Sequence, residues 1–126
     1  MSEAVVDTNA LIYYVVEDSP HHVEAVEKLD ALEKWHMPTV VVHELAWFFK
    51  KTAPERGAEV LRALLHYKKV VVHCEDTATL RRAASAGLVH YNDAVVLYTA
   101  RRLGLPVVTF DEKMKKRAEA LGVSIL

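Results

Sequence analysis

Short apolar runs with strand character alternate with longer stretches of helical spacing along this chain of 126 residues. The runs lie at residues 4–6, 37–39, 70–72, 106–109 and 123–125. Strands without polar alternation, separated by helical patterns, are typical of a parallel sheet that is covered on both faces. We therefore predict one α/β domain spanning residues 1–126: a three-layer α/β/α sandwich around a central, mostly parallel sheet of about five strands.

The spacing between these runs predicts seven helices. One begins at Thr8, and a second opens at Pro20 after a Ser19 N-cap, because proline is tolerated in the first turn of a helix. The apolar stripe of this second helix recurs every three residues and continues to Trp35. The remaining helices are predicted at residues 40–51, from 54, and at 76–87, 92–104 and 111–121.

The charge balance excludes a protein that holds nucleic acid by bulk electrostatics. There are 16 Lys and Arg residues against 17 Asp and Glu residues, a formal net charge of -1. Any chemistry on nucleic acid would have to come from a local site. No apolar run approaches the roughly 18 residues that cross a bilayer. The single Cys74 suits a reducing compartment, so we expect a cytoplasmic protein that does not contact membranes.

Four acidic residues follow predicted strands, where an open parallel sheet binds its ligands. Asp7 ends the first run, and Glu44 lies about one turn into the helix that follows the second run. Asp93 begins an apolar helix, and Asp111 lies just past the run that ends at Thr109. These acids are far apart in sequence, so only the fold could bring them together.

Carboxylates that converge on one pocket repel one another unless a cation neutralises them. Hard divalent ions prefer oxygen ligands, so the pattern predicts one or two Mg²⁺ or Mn²⁺ ions. Such ions support phosphoryl transfer, because they activate a water and stabilise the charge on the leaving oxygen. Four polar neighbours could donate hydrogen bonds to the carboxylates or to a bound water: Thr8, Asn9, Asn92 and Thr109.

A structural interpretation of the same acids is open for three of them. Asp7, Asp93 and Asp111 each stand where a helix begins, and an aspartate there is often a cap. Glu44 is different, because it lies in an otherwise apolar helix where an unpaired carboxylate would cost several kcal/mol. One shared site explains all four acids more simply than four separate accidents.

Four segments in this order resemble the PIN-domain nucleases, and the size of the chain is similar to that of the VapC-type toxins of prokaryotic toxin–antitoxin pairs. The segments are Val-Val-Asp-Thr-Asn at 5–9, Val-His-Glu-Leu at 42–45, Asn-Asp-Ala at 92–94 and Val-Thr-Phe-Asp at 108–111. The resemblance implies a Rossmann-like fold and a Mg²⁺- or Mn²⁺-dependent endoribonuclease that leaves 5′-phosphate and 3′-hydroxyl ends. It also implies that Asp7, Glu44, Asp93 and Asp111 are the catalytic, metal-binding residues.

The resemblance further implies a homodimer and an antitoxin protein that docks near the active site. We place such contacts on the apolar helix that holds Trp47, Phe48 and Phe49, and on the apolar face of residues 60–65. Lys113 and Lys116 follow Asp111 and could contact the RNA backbone, although basic residues along a helix are more often its solvated face.

Other functions remain open at this point. A PIN-like domain could serve as a scaffold that binds metal and partners without cleaving RNA, or as a nuclease in RNA processing. A receiver-type phosphoacceptor domain fits poorly. Such a domain needs a second acid beside Asp7, where Thr8 stands, and an acceptor aspartate after the third strand, where His73 and Cys74 stand.

Overall fold

The structure, a computed structural model, describes residues 2–126 and confirms the predicted alternation of strands and helices. The strands are β1 (Glu3–Val6), β2 (Lys34–Pro38), β3 (Val70–His73) and β4 (Val107–Val108). The helices are α1 (Thr8–Val15), α2 (His22–Asp30), α3 (Thr39–Thr52), α4 (Gly57–His66), α5 (Thr77–Ser85), α6 (Tyr91–Leu103) and α7 (Glu112–Ala120), and a short 3-10 helix (Leu88–His90) precedes α6.

The four strands form one parallel sheet in the order β3-β2-β1-β4. The sheet has fewer strands than the predicted five, because residues 123–125 do not form a strand. Ile125 makes a single parallel bridge to Val107, and Leu126 N–H donates a 3.0 Å bond to the Val107 carbonyl. Since β4 is only two residues long, a neighbouring segment can pair with it over at most two residues.

The prediction that the second helix reaches Trp35 is wrong. The helix α2 ends at Asp30, and Trp35 lies in β2, where its N–H donates a 2.8 Å bond to the Lys69 carbonyl. Its indole N–H donates to the Leu29 carbonyl at 2.8 Å. The three-residue spacing of the stripe continues past the end of the helix, and pairing with a distant segment decides the structure there.

The starts of α2 and α4 also differ from the prediction, which gave Ser19 as the N-cap of the second helix and Pro54 as the start of the fourth. The N-cap of α2 is His21, because the Ser19 hydroxyl instead donates a 3.3 Å bond to the Tyr13 carbonyl. The helix α4 begins at Gly57, where an added Cβ would lie 2.5 Å from the Cβ of Phe49. Glycine at this position therefore allows α3 and α4 to approach closely.

The order of the strands places a crevice between β1 and β4. The chain proceeds from β1 to β2 to β3 in one direction and then crosses back to add β4 on the other side of β1. Right-handed crossovers put α1–α4 on one face of the sheet and α5–α7 on the other. Ligands of open parallel sheets bind where this direction reverses, beyond the carboxyl ends of the strands. In this chain, that place lies between Asp7 and Thr109.

None of the helices in residues 2–126 is both long enough and apolar enough to cross a membrane.

Candidate active site

Asp7 lies in the crevice between the ends of β1 and β4. Its side chain caps α1 by accepting a 2.9 Å bond from Thr8 N–H, and its Oδ2 accepts a 2.8 Å bond from the Thr109 hydroxyl. The residue is only 6% exposed. Burial, together with the smaller effects of the charges of Asp93 and Glu44, raises the pKa of Asp7 to about 7, against the effect of these two hydrogen bonds. Asp7 is thus a buried acid near two other acids, and no positive charge in the described part of the chain contributes to its pKa.

Glu44 is half-buried in α3 and is bonded through both carboxylate oxygens. Its Oε1 accepts a 2.6 Å bond from the Thr8 hydroxyl, and its Oε2 accepts a 3.3 Å bond from the side-chain amide of Asn92. These two bonds connect α3 to the starts of α1 and α6. They also show how a mostly apolar helix accommodates a carboxylate, because both of its oxygens have partners.

Asp93 lies in the first turn of α6, whose N-cap position is His90. Asp93 is therefore not the cap of this helix. Its Oδ2 accepts a 2.9 Å bond from Arg117 Nη1, and the second terminal nitrogen of the same guanidinium lies 2.7 Å from His90 Nδ1. A guanidinium only donates hydrogen bonds, so Nδ1 must be the accepting nitrogen and the His90 proton must be on Nε2.

Sequence reasoning did not predict the contact of Arg117 with Asp93, because Arg117 lies within the basic run of α7, whose residues are candidates only for contact with RNA. Its long side chain crosses from α7 to the first turn of α6, and it is only partly exposed. No signal in the sequence distinguishes it from the other basic residues of α7, because the packing of α7 beside α6 decides which of them reaches Asp93. By contrast, Lys113 and Lys116 are exposed on α7.

Asp111 is connected to the other acids only indirectly. Its side chain accepts a 2.9 Å bond from Lys113 N–H and so caps α7. Its own N–H donates a 3.2 Å bond to the Thr109 hydroxyl oxygen. Asn9 holds the same loop in place, because its Oδ1 accepts a 3.1 Å bond from Phe110 N–H. The cap interpretation therefore describes both Asp7 and Asp111.

Some of the apolar residues predicted to contact a partner are buried within the domain and are not available at its surface. Trp47 is 64% exposed, but Phe49 and Leu64 are each only 6% exposed and belong to the core of the domain. Next to the acids, the apolar side chains of Leu88 and Val89 are 81% and 89% exposed. Both residues line the same pocket as Glu44 and Asp93.

The side chains in the crevice carry oxygen atoms of the kinds that bind a hard divalent cation. They are carboxylate, hydroxyl and amide oxygens, which are the ligands that Mg²⁺ and Mn²⁺ prefer, and the buried acid Asp7 faces two more acids. No three His, Cys, Asp or Glu side chains within residues 2–126 are already grouped closely enough to hold a metal ion. Hydrogen bonds from Thr8 and Asn92 instead occupy both carboxylate oxygens of Glu44, and a bond from Arg117 occupies Oδ2 of Asp93.

Comparison with solved structures shows the same fold in toxins of toxin–antitoxin systems. The chain is similar to VapC20 from Mycobacterium tuberculosis, a toxin that cleaves the sarcin–ricin loop, with 17% identity, 98% of each chain covered and a TM-score of 0.81. It is similar to DNA-bound VapBC from Salmonella typhimurium, with 22% identity, 100% of this chain and 98% of that chain covered, and a TM-score of 0.71. It is also similar to FitAcB from Neisseria gonorrhoeae, with 20% identity, 98% and 96% covered, and a TM-score of 0.69.

A search among curated proteins found no match to this sequence. The family model of the PIN domain matches residues 4–120, a span that runs from within β1 to the end of α7 and includes all four predicted acids. With a matching sheet and a matching family model over nearly the whole chain, the resemblance inferred from the sequence is confirmed. The chain belongs to the PIN domain family.

Proposed function

We propose that this protein is a metal-dependent endoribonuclease whose acidic site is formed by Asp7, Glu44 and Asp93, with Asp111 beside it. The observation that carries this proposal is the buried Asp7 carboxyl. Its pKa of about 7 reflects burial and the nearby charges of Glu44 and Asp93. A structural acid would gain nothing from such a position, whereas a divalent cation would offset both the burial and the repulsion.

In this proposal, one or two Mg²⁺ or Mn²⁺ ions are held by the carboxylates of Asp7, Glu44 and Asp93. A bound divalent ion supplies an activated water and neutralises charge on the phosphodiester. The surrounding residues keep the acids in place. The Thr109 hydroxyl orients Asp7 at 2.8 Å, and the Thr8 hydroxyl orients Glu44 at 2.6 Å. Such bonds fix the direction of the carboxylate lone pairs.

The remaining predicted residues have supporting roles in this proposal. Asn92 holds the second oxygen of Glu44, and Asn9 fixes the loop that carries Thr109. Asp111 caps α7, the helix that carries the exposed Lys113 and Lys116, and these two lysines contact the RNA backbone in this proposal.

We also propose that the protein is the toxin of a VapBC-type pair, in which an antitoxin protein inhibits it, and that it forms a homodimer. Support comes from the structures of similar fold, which include the VapC20 toxin and the VapBC complex. A toxin–antitoxin complex from Klebsiella pneumoniae is also similar in fold, with 21% identity, 89% of each chain covered and a TM-score of 0.66. Expression of the wild-type protein should arrest bacterial growth, and co-expression of its antitoxin should restore growth.

One observation favours a second function, that of a scaffold that binds partners without cleaving RNA. The acids within residues 2–126 are not preassembled around a metal position, and an arginine already neutralises Asp93. The scaffold interpretation predicts that the protein binds RNA or protein partners but does not hydrolyse a phosphodiester under any metal condition.

Cleavage assays distinguish the two functions. The purified protein is incubated with ribosomal RNA, transfer RNA and synthetic single strands, with Mg²⁺ or Mn²⁺ and with EDTA. We expect cleavage only with the metal, and a loss of about a thousandfold in Asp7→Asn. Asp18→Asn is the matched control, because Asp18 is an exposed aspartate in the turn between α1 and α2 and is not one of the four acids of the site. Equal cleavage by wild type and Asp7→Asn would contradict the proposal.

A further inference from the structure

The guanidinium of Arg117 stands where a cation is expected at the acidic site. It donates 2.9 Å from Nη1 to Asp93 Oδ2, and it lies 2.7 Å from His90 Nδ1. The side chains of Arg117 and Asp93 are 27% and 32% exposed, so the pair is partly shielded from water. The attraction between the two charges is screened less by water there than on an open surface.

This arrangement makes Arg117 a competitor of any divalent ion at Asp93. A metal ion that took Oδ2 would replace the guanidinium directly. An ion that took the other oxygen would share the Asp93 carboxylate with the guanidinium. The two positive charges would then repel each other across that carboxylate. In both cases, binding of the ion weakens the bond between Arg117 and Asp93.

The position of Arg117 on α7 relates it to Lys113, which we propose contacts the RNA backbone. It lies four residues after Lys113, on the same face of the helix. Its planar fork of donors suits a phosphate group, whose oxygens it can bind in pairs. His90 accepts from the guanidinium only through a neutral ring nitrogen, so no ionic bond holds the second branch of the fork.

We propose that Arg117 is an internal counterion which the divalent metal displaces from Asp93, and which then binds a phosphate of the RNA. This inference rests on the proposed metal-dependent nuclease function. It assigns to one residue two opposite effects: Arg117 weakens metal binding in the absence of RNA and strengthens RNA binding in the presence of metal.

The first test measures metal binding without RNA or turnover, by electron paramagnetic resonance of free Mn²⁺. Arg117→Met keeps the apolar stem of the side chain and removes the charge. We expect it to bind Mn²⁺ about tenfold more tightly than wild type, with Arg117→Lys in between. Arg101→Ala is the charge-matched control, because Arg101 is exposed and lies in the last turn of α6, whereas Asp93 lies in the first. Circular dichroism verifies that each variant is folded.

The second test measures RNA binding at saturating Mn²⁺. Arg117→Met should raise the RNA concentration for half-maximal cleavage about fivefold and lower the salt dependence of RNA binding by about one ion. Tighter Mn²⁺ binding together with weaker RNA binding supports the inference. If wild type and Arg117→Met bind Mn²⁺ equally, or if both affinities change in the same direction, Arg117 has a structural role and the inference is overturned while the nuclease proposal stands. If neither protein binds Mn²⁺, both proposals fail.

Discussion

The hydroxyl of Thr109 donates a hydrogen bond of 2.8 Å to Asp7 Oδ2, although 102 residues separate the two in the chain. The same hydroxyl oxygen accepts a 3.2 Å bond from Asp111 N–H. Thr109 is only 1% exposed, so water cannot replace these bonds. One buried hydroxyl therefore joins the end of β1, the end of β4 and the start of α7.

Replacement of Thr109 by valine should weaken both the fold and the site. Valine has nearly the same shape but cannot donate to Asp7 or accept from Asp111. We expect the free energy of unfolding to fall by about 1–3 kcal/mol, because a buried donor and acceptors lose their partner. Urea denaturation measures this change, and Thr109→Ser, which keeps the hydroxyl, should retain most of the stability. A valine variant as stable as wild type would show that the hydroxyl contributes little.

Replacement of Asp7 by asparagine should stabilise the protein above neutral pH while it abolishes cleavage. The pKa of Asp7 is raised from 3.8 in the unfolded chain to about 7 in the fold, mainly by burial. Between these pH values the native state binds more protons than the unfolded state. The stability of wild type should therefore decrease as the pH rises from about 4 to about 7 and then level off, by at most about 4 kcal/mol.

Denaturation curves from pH 4 to pH 8 in EDTA measure this effect. Asp7→Asn should lack that decrease in stability and should be more stable than wild type at pH 8, because an amide has no charge to bury. Asp18→Asn, an exposed control, should follow wild type at every pH. Parallel curves for wild type and Asp7→Asn would mean that the buried carboxyl is already neutralised by another group.

Replacement of Gly57 by alanine should destabilise the contact between α3 and α4. The added Cβ would lie 2.5 Å from the Phe49 Cβ and 3.1 Å from the Phe49 carbonyl oxygen, both too close for ordinary contact. These atoms belong to the backbone or are bonded to it, so the helices must separate. We expect a loss of about 1–3 kcal/mol in thermal or urea unfolding. Ala58→Ser, at the exposed neighbouring position, should be nearly neutral.

Replacement of Trp47 by lysine should dissociate the proposed homodimer. Trp47 is 64% exposed on α3, where a large apolar ring favours a partner surface. We expect light scattering to show a dimer for wild type and a monomer for Trp47→Lys, with unchanged thermal stability of the protomer at low concentration. Val23→Lys is the matched control, because Val23 is also exposed, at 69%, and lies on α2. A dimer in both variants would place the interface elsewhere.

The sequence predicted those parts of the structure that depend on neighbouring residues. Asp7 lies directly after β1 and Asp111 lies three residues after the end of β4, and each is the N-cap of a helix, as the local pattern indicates. A carboxylate in an otherwise apolar helix requires a partner, and this requirement identifies Glu44. Its partners, Thr8 and Asn92, come from two other helices.

The parts that the sequence did not predict depend on contacts between distant segments. Trp35 fits the helical stripe before it, and only its pairing with residues near Lys69 shows that it lies in a strand. Which basic residue of α7 reaches Asp93 depends on how α7 packs beside α6, and no local pattern distinguishes Arg117 from Lys116. The start of α3 likewise depends on a distant side chain, because Glu75 accepts a 2.9 Å bond from Val40 N–H.

The long separation between Asp7 and Thr109 also determines when the site can form during synthesis. The strand β4 is the last strand in chain order, and it must dock against β1 before the two residues meet. Until roughly the first 110 residues have left the ribosome, the emerging chain has its first acid but not the hydroxyl that orients it. A site built in this way forms late, so any activity that needs an oriented Asp7 carboxyl begins only when nearly the whole chain has been made.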